Sequence, residues 1–306
     1  MNNSKSISKI ELNTGYSCNS YCRFCTAGLE KRKDNPSFAE LRKKIADSIK
    51  HNVDSIVFNG GEPTIRRDLL KLVDAAKKEG YKEVEIQSNG FLLSKKEYVK
   101  RLVSLGVTKF YVSIHSHNAA TQDMLTNTPG SFRLTTEGIR NIINENADIE
   151  IVCVIQKANV NHLLEFVKFF SSMGVKKFKF YFINIEGRVT GNYAELVPKI
   201  SYAAKMINEC YESAKGTGIE KFEVQFIPYC LMGKNHQIVF NPRIKKYAMY
   251  DTRMELLLEN SKFDQGIKLE KCKECKMMDI CCGISQNYIK FFGDSEIIPI
   301  KKNGCA

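Results

Sequence analysis

Short apolar runs alternate with amphipathic stretches along most of the chain, at intervals of roughly 25–35 residues. Six of the apolar runs predict β-strands, at residues 7–12, 55–59, 83–88, 109–114, 150–155 and 177–182. The amphipathic stretches predict helices after them, at residues 38–51, 67–79, 95–105, 135–145, 160–173 and 193–215. This βα repeat predicts a parallel sheet with right-handed crossovers. The pattern alone does not distinguish a doubly wound sheet from a barrel.

The pattern changes after the Gly-Thr-Gly sequence at residues 216–218. Two strand-like runs, at residues 222–227 and 237–240, then precede a cysteine-rich tail, and the parallel rhythm is lost. We therefore expect a core domain of residues 1–218 and a smaller, cysteine-rich α+β domain of residues 219–306.

Composition narrows the class of protein. The 306 residues contain no apolar run of membrane-spanning length, and the polar N-terminus has no apolar signal core. We therefore predict a cytoplasmic protein whose 11 cysteines serve metal binding rather than disulfides. The formal charge of +12 is compatible with an anionic partner. Because the lysines are scattered and no basic–aromatic stripe is present, nucleic acid is disfavoured as that partner.

Three cysteines near the start, Cys18, Cys22 and Cys25, form a C-x3-C-x2-C motif. Three thiolates this close can hold three corners of an iron–sulfur cube and leave its fourth iron without a protein ligand. A structural zinc ion would require a fourth ligand nearby. The next histidine is His51 and the next cysteine is Cys153, so a local zinc site lacks that partner.

Two further features accompany the cysteines. Phe24 precedes the third cysteine directly, and Gly60-Gly61-Glu62-Pro63 follows the second predicted strand. With this combination the chain resembles the radical S-adenosylmethionine (radical SAM) family. The resemblance implies a partial (β/α)6 barrel. It also implies that the open iron chelates the amino and carboxylate groups of S-adenosylmethionine.

The resemblance also implies a reaction. One electron, from a flavodoxin- or ferredoxin-type reductant, breaks the sulfonium, and the resulting 5′-deoxyadenosyl radical takes a hydrogen atom from the substrate. Gly60, Gly61 and Glu62 match a turn that in the family binds the amino group of the cofactor through backbone carbonyls and the glutamate, and the resemblance implies the same role here. Phe24 would lie near the adenine, or it is a plain packing residue.

Residues after the third and fourth strands are further candidates for cofactor contacts. Ser88 and Asn89 lie in a turn similar to the Thr-Asn-Gly of the family and would contact the methionine part. Ser113 resembles a family position that contacts the cofactor. His115 lies on the same face of the fourth strand as Ser113. It is either a ligand of the cofactor or the substrate, or a structural histidine whose hydrogen bonds are made within the protein. His117 is expected to face the loop.

The chain departs from the family at one position. Many relatives carry an arginine or lysine shortly after strand four, which pairs with the cofactor carboxylate, but this chain has Leu-Thr-Asn-Thr at residues 125–128. Lys157 and Arg133 are the remaining candidates. Glu186 and Arg188, after strand six, are either substrate contacts or a surface ion pair.

A second group of cysteines follows a C-x2-C-x5-C spacing that resembles the SPASM or twitch auxiliary-cluster domain. Together with an upstream cysteine it would supply four thiolates for one closed 4Fe-4S cluster, from Cys230, Cys272, Cys275 and Cys281. A full SPASM domain would have another cysteine where Ser285 stands. Cys282 and Cys305 are reserve ligands or a redox pair, and structural zinc is the competing interpretation.

These features predict a radical SAM oxidoreductase or maturase that oxidises or cross-links a peptide or protein side chain. The alternatives are an amino sugar-type dehydrogenase, a nucleic-acid-modifying enzyme and a non-catalytic electron carrier. Since the barrel begins near residue 7, we expect no N-terminal peptide-recognition domain. A leader-binding module would then be a separate protein, or the substrate would be small.

Overall fold

Seven parallel strands build the central sheet. The computed structural model describes residues 9–241, 247–250, 256–258 and 266–301. The strands are β1 (Lys9–Asn13), β2 (Ser55–Asn59), β3 (Glu83–Ser88), β4 (Val107–Ser113), β5 (Asp148–Ile155), β6 (Lys177–Phe182) and β7 (Lys221–Gln225). They lie side by side in chain order, and the sheet curls into a half-barrel. The expected partial barrel is confirmed, with one strand more than predicted.

Helices cover the outer face of this sheet. They are α1 (Phe38–Ser48), α2 (Leu69–Lys78), α3 (Lys96–Ser104), α4 (Ala119–Thr126), α5 (Ser131–Asn144), α6 (Leu163–Ser172), α7 (Tyr193–Leu196) and α8 (Ile200–Ala214). Their apolar faces join the strands in one core, in which Leu72, Ile139 and Phe166 are buried. Cys153 and Cys210 are buried in the same core, as small apolar side chains would be. Within the described ranges, no helix combines the length and apolar character needed to cross a membrane.

The predicted helices are confirmed except at two places. The helix expected at residues 193–215 is interrupted between α7 and α8. Pro198 explains the break, because proline cannot donate the helical hydrogen bond and forces the preceding Val197 into an extended conformation. The helix α4 was not predicted. Its N-cap is Asn118, whose side chain accepts a hydrogen bond from the Thr121 amide.

The C-terminal part differs from the expectation. The run at residues 222–227 was assigned to the second domain, but it forms β7 and pairs in parallel with β6, so the parallel rhythm continues past residue 218. The run at 237–240 is not a strand, because Gly233–Ile238 is a 3-10 helix and only Val239 bridges to Val224. A division into two domains remains a proposal, and the pairing of β7 with β6 would place its boundary after β7 rather than after residue 218.

The remaining elements are short. They are α9 (Tyr229–Met232), β8 (Tyr247–Tyr250), β9 (Leu256–Leu258), β10 (Gly266–Ile267), β11 (Ile284–Ser285) and α10 (Gln286–Phe292). Strand β8 pairs in parallel with β1, and β9 pairs antiparallel with β8, so both extend the main sheet. Strands β10 and β11 form a separate antiparallel pair. The second group of cysteines lies around this small sheet.

The inner face of the half-barrel carries charged side chains near the amino ends of the strands. Glu150 is fully buried there and accepts hydrogen bonds from Lys109 at 2.7 Å and Lys221 at 2.8 Å. Burial opposes the ionisation of Glu150, but Lys179, Lys221 and Lys109 outweigh it and lower the pKa of Glu150 to about 2. These paired charges form a polar layer below the cavity at the other end of the strands.

Candidate functional site

A cavity of about 380 Å³ opens at the carboxyl ends of β1 to β6. Loops at this end of a parallel sheet are the usual place for a ligand site. The cavity brings together most of the predicted site residues, namely Cys18, Cys22, Phe24, Cys25, Gly60, Gly61, Ser88, Asn89, Ser113 and His115. Glu62 does not line it. We call this space the cofactor cavity.

The Gly-Gly turn after β2 holds one side of the loop that carries Cys18, Cys22 and Cys25, which we call the cysteine loop. The amide of Gly61 donates to the carbonyl of Gly15 at 2.7 Å, and the amide of Glu62 donates to the carbonyl of Ser17 at 2.9 Å. A Cβ atom at Gly61 would lie 2.3 Å from the Ser17 carbonyl oxygen. Any larger residue would therefore push the turn and the cysteine loop apart.

Arg188 and the end of α4 hold the other side of the cysteine loop. The Arg188 guanidinium donates from Nη1 to the carbonyl oxygens of Tyr21 at 2.5 Å and Cys22 at 2.9 Å. The Tyr21 amide donates to the Thr126 carbonyl at 3.1 Å. From the sequence, Arg188 was a candidate substrate contact or surface ion pair, but its side chain instead positions the cysteine loop. Neighbouring Gly187 permits this approach, since a Cβ atom there would lie 2.4 Å from the Thr26 carbonyl oxygen.

The three cysteines of the loop fit an iron–sulfur cluster with one open iron. All three line the cofactor cavity, half-buried. Without a bound cluster, the pKa of Cys22 is raised to about 12, mainly by burial and to a lesser extent by the neighbouring Cys18 and Cys25. The Ser20 hydroxyl, 3.2 Å from the Cys22 sulfur, acts to lower this pKa. Iron must therefore displace protons when it binds. Among the described residues, no group of three or more His, Cys, Asp or Glu side chains is placed to hold a single metal ion.

Glu62 links two turns beneath the cofactor cavity. Its carboxylate accepts hydrogen bonds from Thr64 Oγ1 at 2.5 Å and from the Thr64 amide at 3.0 Å. It also accepts from Ser88 Oγ at 2.8 Å and from the Asn89 amide at 2.6 Å. Burial raises the pKa of Glu62, and these four donors act against that rise. The side chain expected to touch the cofactor amino group thus joins the ends of β2 and β3.

His115 serves the fold with one ring nitrogen, and the residue lines the cofactor cavity. Its Nδ1 accepts a hydrogen bond from the Val154 amide at 3.1 Å, so the neutral ring carries its proton on Nε2. Burial lowers the pKa of His115 to about 3, which keeps the ring neutral. The ring meets Phe24 edge-on at 4.7 Å. These contacts support the structural interpretation of His115, while its role as a ligand stays a prediction. His117 packs near His162 and does not line the cavity.

The second group of cysteines surrounds a smaller space, which we call the cysteine cavity. Four thiols line it, those of Cys230, Cys272, Cys275 and Cys281. Burial and then the nearby Cys281, Cys275 and Cys272 thiols raise the pKa of Cys230 to about 11. The other walls are largely apolar, with Met277 and Ile284 among them. The sequence spacing therefore placed four cysteines together correctly, while Cys282 points elsewhere and Cys305 lies outside the described residues.

A third space, of about 360 Å³, lies between the other two, and we call it the middle cavity. It shares Cys281 with the cysteine cavity, and Cys282 also lines it. It shares five residues with the cofactor cavity, namely Thr26, Phe182, Ile183, Asn184 and Phe226. Neighbouring spaces thus share wall residues, in an order that runs from the first cysteine loop to the second cysteine group.

Phe226 stands where the cofactor and middle cavities meet. Its φ of +66° is a conformation that a bulky side chain rarely adopts. The ring remains 44% exposed and lies 5.7 Å from the ring of Tyr181. Strained residues of this kind persist where the surrounding structure holds them, commonly at functional sites. Phe226 was not predicted from the sequence, because nothing in the local pattern at the end of β7 signals a positive φ.

Comparison with known proteins gives a family and a fold. The sequence matches the Radical SAM superfamily over residues 12–170. It is 30% identical over 165 residues to a probable GTP 3′,8-cyclase of Saccharolobus islandicus, a match covering 52% of each chain. A similar protein of Sulfurisphaera tokodaii is 29% identical over 173 residues, or 56% of this chain and 54% of the relative. The chain spans about half the length of the relatives it matches.

Two solved structures share the fold. SuiB of Streptococcus suis bound to S-adenosylmethionine aligns with a TM-score of 0.72 at 16% identity, over 93% of this chain and 75% of that one. The enzyme anSMEcpe with bound AdoMet and a peptide aligns with a TM-score of 0.67 at 14% identity, over 97% and 91%. At these identities the likeness concerns the fold alone.

Proposed function

Because the chain belongs to the radical SAM superfamily, whose cofactors are S-adenosylmethionine and a 4Fe-4S cluster, we propose that it modifies a peptide or protein side chain with the help of an auxiliary cluster. When bound, the two cofactors supply one-electron chemistry that removes a hydrogen atom from the substrate. Cys18, Cys22 and Cys25 would hold the cluster, and the Gly60-Gly61 turn and Arg188 keep their loop in place. A flavodoxin- or ferredoxin-type protein is the proposed reductant.

The observation that carries the proposal is the order of the three cavities. A substrate in the middle cavity would touch the cofactor cavity on one side and Cys281 on the other. The group that loses hydrogen would then lie beside the site that accepts the remaining electron. Four thiolates close a 4Fe-4S cluster completely, which suits electron transfer rather than substrate binding at iron. We therefore assign the auxiliary cluster to Cys230, Cys272, Cys275 and Cys281.

The walls of the middle cavity favour an apolar side chain over a nucleotide. Phe182, Ile227 and Tyr288 are among its lining residues, and Glu186 contributes a carboxylate. As far as the described residues extend, no lysine or arginine lines the middle or the cofactor cavity. A triphosphate would require cationic partners there and would be repelled by Glu186. The lack of cationic side chains therefore favours a peptide substrate over nucleic acid. It also favours a peptide over GTP, the substrate indicated by the names of the sequence relatives.

The proposal is tested by offering both substrate classes to the reconstituted enzyme with S-adenosylmethionine and dithionite. We expect GTP to remain unchanged, while a peptide encoded beside the gene loses two hydrogen atoms or gains a cross-link, as read by mass spectrometry. Conversion of GTP, with every peptide unchanged, would contradict the proposal. An amino sugar oxidised in place of the peptide would favour the small-molecule alternative.

Phe226 offers a sharper test, because glycine accepts its positive φ without strain. Phe226→Gly should therefore fold normally, yet lower coupled turnover of the peptide by roughly tenfold, since an aromatic contact is lost. Formation of 5′-deoxyadenosine without substrate should continue. Tyr202→Ala is the matched control, because Tyr202 is 42% exposed on α8 and lines neither cavity. Equal effects of the two substitutions on coupled turnover would contradict the assignment of the peptide substrate to the middle cavity.

A further inference from the structure

One polar side chain at the junction of the cofactor and middle cavities has no partner within the protein. Of the five residues that line both spaces, Phe182, Ile183 and Phe226 are apolar, and Thr26 and Asn184 are polar. The half-buried Asn184 makes no side-chain hydrogen bond to any described residue, and neither polar atom of its carboxamide is closed off from solvent. The carboxamide is therefore available to a ligand that spans the two spaces.

The main chain around Asn184 is held in place by the protein. Ile183 and Ile185, on either side, are 2% and 1% exposed and belong to the hydrophobic core. The Glu186 amide donates to the Asn184 carbonyl at 3.0 Å, and Asn287 Nδ2, on α10, donates to the Ile185 carbonyl at 2.8 Å. The carboxamide therefore extends from a fixed segment, and a ligand that binds it does not have to order this main chain.

The carboxamide of Asn184 is complementary to the main chain of an extended peptide. It has an NH2 donor and a C=O acceptor in one plane, whereas the Thr26 hydroxyl has a single oxygen for both tasks. The N–H and C=O of one extended residue point to the same side, as in the hydrogen-bonded pairs of an antiparallel sheet. One carboxamide can therefore bond both. A neutral main chain also suits the cofactor cavity, whose described wall residues include no lysine, arginine, aspartate or glutamate.

We propose that Asn184 binds the main chain of the peptide substrate, with one hydrogen bond to the N–H and one to the C=O of a single extended residue. These bonds fix the register of the peptide at the junction, so that the same residue is presented to the cofactor cavity in every binding event. Because main-chain atoms are alike in all residues, Asn184 sets the position of the chain, and the apolar walls of the middle cavity select its side chains. This assignment rests on the proposed peptide substrate.

The test measures peptide binding without turnover. The dissociation constant of a fluorescently labelled peptide, encoded beside the gene, is determined by anisotropy with the reconstituted enzyme, saturating S-adenosylmethionine and no reductant. Asn184→Leu has a similar size but no polar atom, so it should raise this dissociation constant roughly tenfold, the effect of two neutral hydrogen bonds. The dissociation constant of S-adenosylmethionine itself should not change.

A series of peptides, each with one amide replaced by an ester, identifies the residue that Asn184 binds. An ester removes one main-chain N–H and keeps the chain extended. One ester of the series should weaken binding to the parent protein by about threefold to tenfold, the effect of one hydrogen bond. The same ester should not affect binding to Asn184→Leu, because the acceptor for that N–H is already missing.

The matched control is Asn144→Leu. Asn144 is exposed at the end of α5 and lines neither cavity, so its substitution should leave both dissociation constants unchanged. If Asn184→Leu folds poorly, Asn184→Asp decides, because it keeps the shape of the side chain but loses the NH2 donor, and it should also weaken peptide binding.

Three results would overturn the proposal. They are equal peptide affinities of the Asn184 and Asn144 variants, ester effects that are the same in the parent protein and in Asn184→Leu, and weaker binding of S-adenosylmethionine to Asn184→Leu. In each case the parent enzyme still modifies the peptide, so the proposed function stands. A parent enzyme that binds and modifies no peptide would contradict the proposed function itself, and the role of Asn184 with it.

Discussion

Replacing Cys22 by alanine is expected to abolish the formation of 5′-deoxyadenosine. Cys22 contributes one of only three thiolates on the loop, and a cube held by two of them is left with a second iron unligated by protein. The remaining cluster would be lost or would bind S-adenosylmethionine incorrectly. The measurement is chromatography of 5′-deoxyadenosine after incubation with S-adenosylmethionine and dithionite, and the expected yield is at background.

The matched control for Cys22→Ala is Cys210→Ala. Cys210 is a buried thiol on α8 that lines none of the three cavities, so its loss removes packing but no ligand. The control should retain 5′-deoxyadenosine formation near the parent rate. Product formation by a folded Cys22→Ala protein would contradict the assignment of the first cluster.

Replacing Cys275 by alanine is expected to stop product formation while some uncoupled cleavage of S-adenosylmethionine continues. Cys275 is the most buried of the four cysteines around the cysteine cavity, so the second cluster should not survive its loss. The cofactor cavity uses none of these four residues and should retain its own cluster. Iron content, 5′-deoxyadenosine and modified peptide are measured on the same preparation.

This comparison requires a folded variant, because loss of a cluster can unfold the small domain around it. Circular dichroism provides that check. Cys282→Ala is the neighbouring control, since Cys282 lines the middle cavity rather than the cysteine cavity, and it should keep its full iron content. A folded Cys275→Ala protein with full turnover of the true substrate would leave the second group of cysteines with a structural role only.

The periodicity of the sequence was sufficient for the half-barrel. The six strands predicted from apolar runs correspond to β1 to β6. They could be predicted because buried parallel strands have continuous apolar sequences and the helices that cover them have amphipathic ones. The turn residues Gly60 and Gly61 and the cysteines Cys18, Cys22 and Cys25, which the sequence grouped together, also line one cavity in the structure. All of these signals lie within short segments, where local chemistry decides the conformation.

The errors concern contacts between distant segments. The strand β7 was separated from the core because a Gly-Thr-Gly turn resembles a domain boundary, and only pairing with β6 shows otherwise. Arg188 reaches a loop more than 160 residues earlier, as its bonds to Tyr21 and Cys22 show.

Iron analysis of the variant in which Cys18, Cys22 and Cys25 are all alanine tests the central claim most directly. Two 4Fe-4S clusters correspond to roughly eight irons per chain, so the variant should keep about four. Mössbauer spectra should assign those irons to a single 4Fe-4S cluster bound by Cys230, Cys272, Cys275 and Cys281. Complete loss of iron, or zinc in its place, would contradict the auxiliary cluster and the account of function built on it.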